Sequence, residues 1–128
     1  MDKVEILILR NLLYNEEYLR KVIPFIKADY FEDPNQKIVF EELKNFVDEY
    51  NERATKEVLC IEVEKRQDIT DTSFQEITKL ISYLEDVSAD LDWLVNTTEK
   101  WCRDRAIYLA LMESIALADG KDSEKDRG

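Results

Sequence analysis

Few residues of this chain have a type and spacing suited to catalysis. There is no histidine, which is the commonest general base and a member of every Ser-His-Asp or Cys-His arrangement. The two cysteines, Cys60 and Cys102, lie far apart, and without histidine they cannot complete a four-ligand zinc site. Adjacent carboxylates such as Glu41 and Glu42 point to different faces of a helix, so their expected role is solvation. We therefore predict no catalytic residue and no enzyme activity.

Motifs that bind nucleotides or metal ions are also missing from the sequence. A phosphate loop reads G-x-x-x-x-G-K-[ST] and a dinucleotide loop G-x-G-x-x-G, whereas the two glycines here are Gly120 and Gly128. Asp119, Asp122 and Glu124 resemble part of a calcium loop but lack its glycine and its bidentate glutamate. No cofactor and no metal ion are expected in this chain.

The net charge is strongly negative. The 128 residues include 29 acidic and 18 basic side chains, which give −11 at pH 7. Duplex DNA carries about one negative charge per 1.7 Å, so it repels such a chain, and no run of lysine and arginine offsets this. We expect no direct DNA binding, and no apolar run is long enough for a membrane. The excess of acidic side chains has two possible roles. It keeps the domain in solution, which is the commoner case, or it forms a surface that docks a basic partner.

A scarcity of chain breakers predicts an all-helical fold. Two glycines and two prolines are too few for the turns of a β-sandwich or barrel. Apolar residues at helical spacing predict a five-helix globular head over residues 1–88. Its helices are expected at 2–13, 16–26, 34–51, 55–66 and 73–85. Asp33 with Pro34, and Thr55, are expected to begin the third and fourth helices, and Pro24 to loosen or end the second.

One long helix follows the head, in a segment predicted over residues 89–119. From about Asp90 to Ala118 it would reach roughly 43 Å at 1.5 Å per residue, more than the diameter of a compact domain this size. Residues 106–118 are apolar almost all round the helix, so we expect neighbours on several sides. Gly120 is expected to end the helix and to leave 120–128 as a charged, flexible tail.

One face of this helix is predicted to pair with another copy of the chain. Apolar residues recur there every seven positions, a pattern that favours helix–helix packing. The predicted oligomer interface comprises Leu94, Trp101, Arg105, Tyr108, Met112 and Ile115. Arg105 lies beside the apolar residues and can pair with an acid of a neighbouring chain. An ion pair within its own chain is the commoner outcome and contributes little to stability.

Short motifs along the chain, in a fixed order, resemble a known family. They are Val22-Ile23-Pro24-Phe25, Asp29-Tyr30-Phe31-Glu32, Trp93-Leu94-Val95, Thr98-Glu99-Lys100 and Arg103-Asp104-Arg105-Ala106. From Val4 to about Leu117 the chain resembles the N-terminal domain of the replicative DNA helicases of T-even-type phages, which are DnaB-type hexameric helicases. The Asp104-Arg105-Ala106 step also resembles bacterial DnaB-type sequences at the start of their helical hairpin.

The resemblance implies a role in DNA replication. In this family an ATP-driven motor travels 5′ to 3′ on the lagging strand, and the N-terminal domains form a collar that assists primase recruitment. The collar consists of a globular head and a hairpin of two long helices that pairs between subunits, and 89–119 would be the first of those helices. We therefore expect a homo-oligomer (a hexameric ring at full length), docking of primase or other replisome proteins, and location in the cytoplasm of the infected bacterial host.

The chain departs from this family in its extent. The second hairpin helix, the linker helix and the ATPase domain are missing, so a fragment is expected, and ATP and Mg²⁺ would belong to the missing motor alone. The net charge of −11 motivates an alternative, a stand-alone acidic phage protein that inhibits a DNA-binding partner by charge mimicry. A reading frame that continues into a phosphate loop would favour the helicase, and a stop directly after Gly128 the inhibitor.

Overall fold

The computed structural model describes the backbone of residues 3–126 and the side chains of residues 3–120. This part of the chain contains no β-strand. Its α-helices are α1 (Lys3–Tyr14), α2 (Glu16–Val22), α3 (Pro34–Tyr50), α4 (Lys56–Glu64), α5 (Asp71–Ser82) and α6 (Leu91–Asp126). Two 3-10 turns, Ile23–Phe25 and Ala28–Tyr30, connect α2 to α3. The predicted all-helical fold, a five-helix head followed by a long C-terminal helix, is confirmed.

Local sequence signals explain where most helices begin. The side chains of Asn15, Thr55 and Thr70 each accept a hydrogen bond from the backbone N–H three residues further on, at 3.0–3.2 Å. Such a bond satisfies one of the N–H groups that the first helical turn leaves without a partner, and it is typically worth about 1 kcal/mol. The predicted start at Thr55 is thus confirmed. Asp33 precedes α3 as expected, but its side chain makes no capping hydrogen bond. Pro34 is the first residue of the helix, as predicted.

Several predicted boundaries are shifted by a few residues. The second helix ends at Val22 rather than Ile26 and tightens into a 3-10 turn, because Pro24 has no N–H and its ring obstructs a further α-helical turn. The fourth helix ends at Glu64, and the fifth begins at Asp71 because Thr70 provides the cap. Residue 2, where the first helix was expected to start, lies outside the described residues.

A single hydrophobic core joins the five helices of the head to the first half of α6. The ring of Phe31 lies between the rings of Phe40 and Trp101, with centroids 5.3 and 4.9 Å away. Outside the core, the Arg66 guanidinium donates to the carboxylates of Glu42 and Asp68 at 2.8 and 2.7 Å, which joins the end of α4 to α3. The head is therefore held by apolar burial together with a partly buried ionic cluster.

Helix α6 is longer than the sequence suggested. Its 36 residues correspond to roughly 54 Å, well beyond the width of a small domain. The predicted end at Gly120 is wrong, because the helix continues through this glycine to Asp126. Gly120 has no positive φ angle, so it does not adopt the left-handed conformation that ends many helices. The predicted tail 120–128 is thus helical to residue 126, and its last two residues lie outside the described part.

Candidate interaction surface

The second half of α6 extends beyond the head and exposes its apolar side chains. We call residues 106–118 the arm. The six large apolar side chains of the arm with the greatest exposure, between 45% and 62%, are Ile107, Tyr108, Leu111, Met112, Ile115 and Leu117. An exposed apolar patch of this extent is typical of a surface that another protein covers.

The predicted interface residues separate into two groups along α6. Leu94 and Trp101 are 1% and 8% exposed, and both belong to the core of their own head. They are therefore not available to a second chain in this structure. Tyr108, Met112 and Ile115 follow on the same face, and all three are exposed. The predicted residues do lie on one face of α6, but the head covers only the N-terminal part of that face.

Polar as well as apolar contacts fix the first half of α6 to the head. The hydroxyl groups of Tyr18 and Thr98 share a hydrogen bond of 2.6 Å in the core. Burial raises the pKa of Tyr18, so this hydroxyl stays protonated at neutral pH and remains able to donate. The Trp101 ring meets the Tyr30 ring edge-on at 6.0 Å, an arrangement that aromatic pairs favour. The head and the first half of α6 thus form one packed unit.

Arg105 lies where α6 leaves the head. Its Nε donates a hydrogen bond of 2.6 Å to the backbone carbonyl of Tyr30, and its Nη1 lies 3.9 Å from the Glu32 carboxylate. The guanidinium carbon also lies 4.9 Å from the centre of the Tyr108 ring. Arg105 thus connects α6 to the segment that joins α2 and α3. Since Glu32 is well exposed, the carbonyl bond is the stronger of the two polar contacts.

Part of the candidate surface was not predicted from the seven-residue pattern. Ile107, Leu111 and Leu117 are as exposed as the predicted residues, yet they lie outside the seven-residue pattern. The signal for them was the near absence of polar residues from 106 to 118, which predicted neighbours on several sides. The exposed surface is therefore the circumference of the arm and not a single stripe.

Neither a cluster of metal ligands nor a thiol with a lowered pKa is found in the described residues. No cluster of three or more Cys, Asp or Glu residues there is placed to hold a metal ion. Cys60 and Cys102 are free thiols, and burial raises the pKa of Cys102 to about 12, so its thiol is protonated at neutral pH. Within residues 3–126, no helix has both the length and the apolar character for a membrane span.

A groove of about 730 Å³ lies on the head between α1, α5 and the start of α3. Its lining combines apolar side chains with basic and acidic ones. The charged residues are Arg10, Lys79, Asp33, Glu76 and Glu85. This mixture matches neither an anionic nor a cationic ligand, so the arm remains the stronger candidate surface.

Comparison with known proteins agrees with these features. Over 111 residues, which make up 87% of this chain, the sequence is 32% identical to a DnaB-like replicative helicase of Enterobacteria phage T4. The chain is thus similar to a phage DnaB-like replicative helicase. This confirms the resemblance drawn from the short motifs, and an all-helical head with a long C-terminal helix agrees with the fold that it implied. The match covers 23% of that helicase, so the chain spans about a quarter of its length. No family model matches the chain.

Proposed function

We propose that this chain is the N-terminal collar domain of a phage replicative DNA helicase, where it serves subunit oligomerisation and the docking of primase or another replisome protein. The similarity to a DnaB-like replicative helicase over 87% of the chain supports the setting. The exposed apolar arm is the observation that carries the proposed role. ATP-dependent 5′ to 3′ unwinding is proposed only for the longer protein, and no residue of this chain is assigned to it.

The proposed occupant of the arm is the arm of a second copy. Charge favours this choice, because residues 106–118 contain one charged side chain, Glu113, in a chain with a net charge of −11. Two copies therefore repel each other least where their arms meet. The seven-residue spacing of Tyr108 and Ile115 also provides the repeat that packed helices use.

The exposed area of the arm predicts a weak association. Complete burial of a large apolar side chain contributes about 1.5–3 kcal/mol, so a side chain already half covered contributes roughly half of that. One partner arm covers about half of the circumference, so about three such side chains on each copy become buried. Together the two copies gain roughly 5–9 kcal/mol, against about 4–15 kcal/mol lost as two molecules associate. We expect a reversible complex that forms at high concentration, in which each further packed helix would increase the affinity.

Sedimentation velocity over a range of concentrations tests this role. Ile115 in the arm and Ile61 in α4 are both 53% exposed, so Ile61→Glu is a matched control for Ile115→Glu. The wild-type chain and Ile61→Glu should sediment faster as the concentration rises, whereas Ile115→Glu should remain monomeric. A monomeric wild-type chain at every concentration would refute self-association, and equal effects of the two substitutions would refute its location in the arm.

Docking of primase is supported by the family resemblance. It is tested by co-elution of this chain with the primase of the same phage in size-exclusion chromatography. A shared peak is expected, and separate elution at concentrations where the arm associates would contradict this part of the proposal. Comparison of wild-type and Ile115→Glu chains shows whether the partner binds the head alone or needs associated arms.

A further inference from the structure

Arg105 marks the position at which the direction of the arm is set. Trp101 and Cys102 are buried against the head, and from residue 106 onward Leu109 is the one side chain of the arm that still packs on the core. The 21 residues from 106 to 126 extend roughly 32 Å beyond this point. A rotation of about 10° at Arg105 would therefore displace the far end of α6 by about 5 Å.

The contacts of Arg105 use the shape of its guanidinium. Nε donates to the Tyr30 carbonyl, Nη1 faces Glu32, and the guanidinium carbon lies over the Tyr108 ring. Only 15% of the side chain is exposed. A lysine ammonium is a point charge without a planar face, so it cannot make these three contacts together.

The acceptor of the Arg105 bond is itself held in place. Tyr30 ends a 3-10 turn in which its N–H donates to the Lys27 carbonyl at 3.0 Å, and the next N–H, that of Phe31, donates to the Ala28 carbonyl at 3.1 Å. The Tyr30 ring packs on Trp101, one turn of α6 before Arg105. The carbonyl that receives the guanidinium is therefore fixed to the head by both backbone and ring contacts.

Tyr108 connects these contacts to the candidate surface. One side of its ring meets Arg105, yet the side chain is 45% exposed on the face that continues to Met112 and Ile115. A molecule that covers Tyr108 would exclude water from the contact between guanidinium and ring, and a cation–π contact strengthens as water is removed. Occupation of the arm and fixation of its direction would then favour each other.

We propose that Arg105 is a positioning residue that fixes the direction of the arm relative to the head, and that it is not itself part of the oligomer interface. Tyr108 belongs to both sets of contacts. The effect on arm direction is independent of the proposed function, whereas the coupling through Tyr108 to a second copy rests on it.

The direction of the arm can be measured as a distance between two spin labels by pulsed electron paramagnetic resonance. Glu49 on α3 and Asp119, directly after the arm, are exposed and suit replacement by labelled cysteine once Cys60 and Cys102 have been replaced by serine and alanine. Dilution with an excess of unlabelled chain restricts the signal to distances within one molecule. The wild-type chain should give one narrow distance.

Three substitutions and one control then test the role of Arg105. Arg105→Ala should broaden the distance distribution by about 4 Å, because a rotation of about 10° acts over the roughly 21 Å of helix from Arg105 to residue 119. Arg105→Lys should not restore the narrow distribution. Tyr108→Leu, which removes the ring and keeps an apolar side chain, should broaden it less. Arg103→Ala is the matched control, because Arg103 lies on the same helix and is exposed, and it should leave the distance unchanged.

The outcomes separate this proposal from the proposed function. If Arg105→Ala keeps the wild-type distance, Arg105 does not position the arm. If Arg105→Ala fails to fold, Arg105→Lys and Tyr108→Leu decide, and a narrow distance in both would overturn the proposal. Sedimentation of the same samples tests association separately. A chain that is monomeric throughout but broadened by Arg105→Ala would refute self-association while supporting the positioning role.

Discussion

Two substitutions on one face of α6 should differ strongly in their effect on the stability of the fold. Leu94 and Ile115 are separated by three seven-residue repeats and so lie on the same side of the helix. Leu94 is 1% exposed because the head covers it, whereas Ile115 is 53% exposed beyond the head. Replacing each by alanine therefore compares a core position with a free surface position on the same face.

The expected difference in the free energy of unfolding is several kcal/mol. Truncating a fully buried leucine to alanine removes its burial and leaves a cavity, which costs about 2–5 kcal/mol. With a urea dependence of about 1–3 kcal/mol per molar, a loss of 3 kcal/mol lowers the unfolding midpoint by roughly 1–3 M. Ile115→Ala should change the free energy of unfolding by no more than about 0.5 kcal/mol, because it removes little buried area and alanine favours helices.

Urea titration followed by tryptophan fluorescence measures this difference. Trp93 is exposed and Trp101 is buried, so a Trp93→Phe background leaves one reporter inside the core. The titrations are best run at the lowest concentration that gives a signal, so that association of arms does not add to stability. A Leu94→Ala chain as stable as wild type but unable to associate would refute this reasoning. Leu94 would then belong to a contact between chains and not to the head.

Three further predictions concern the buried hydroxyl pair, the continuation of α6 and the response to acid. Tyr18→Phe should lower the free energy of unfolding by about 1–2 kcal/mol, because the Thr98 hydroxyl loses its partner, and urea titration should show part of the loss recovered when Thr98→Val is added. Gly120→Ala should stabilise the helical conformation at the end of α6 by about 1 kcal/mol, since no atom lies near the added methyl group. Circular dichroism should then show a higher helix content. A hydrogen bond from the Arg66 guanidinium lowers the pKa of Asp68, so its contribution to stability is complete at neutral pH and is lost as the pH falls below about 4. Urea midpoints measured against pH should fall less steeply for Asp68→Asn, and an unchanged slope would contradict that assignment.

Local residue chemistry was sufficient to predict the fold class and most helix starts. Pro34 and Thr55 determine helix starts through their own geometry and hydrogen bonds, which depend little on the rest of the molecule. The end of the last helix was predicted wrongly at Gly120. A glycine inside a helix costs only about 1 kcal/mol, so the residues on either side can continue the helix through it.

The division of the predicted interface could not be read from the sequence. The seven-residue pattern treats Trp101 and Tyr108 alike, because it reports the face of a helix and not what covers that face. The difference arises from the 3-10 turn Ala28–Tyr30 and from Phe31, which pack on Trp101 from a distant part of the chain. The Arg105 bond to the Tyr30 carbonyl is likewise a tertiary contact to a backbone group, for which no side-chain pattern gives a signal.

Hydrogen–deuterium exchange at several protein concentrations tests most directly whether the arm is the contact between copies. If arms pack together, the amides of residues 107–118 should exchange more slowly as the concentration rises, while those of α5 keep a constant rate. Ile115→Glu should abolish this dependence, and Ile61→Glu should preserve it. Exchange of residues 107–118 that does not depend on concentration, in a sample that sedimentation shows to be associated, would place the contact elsewhere and contradict the account.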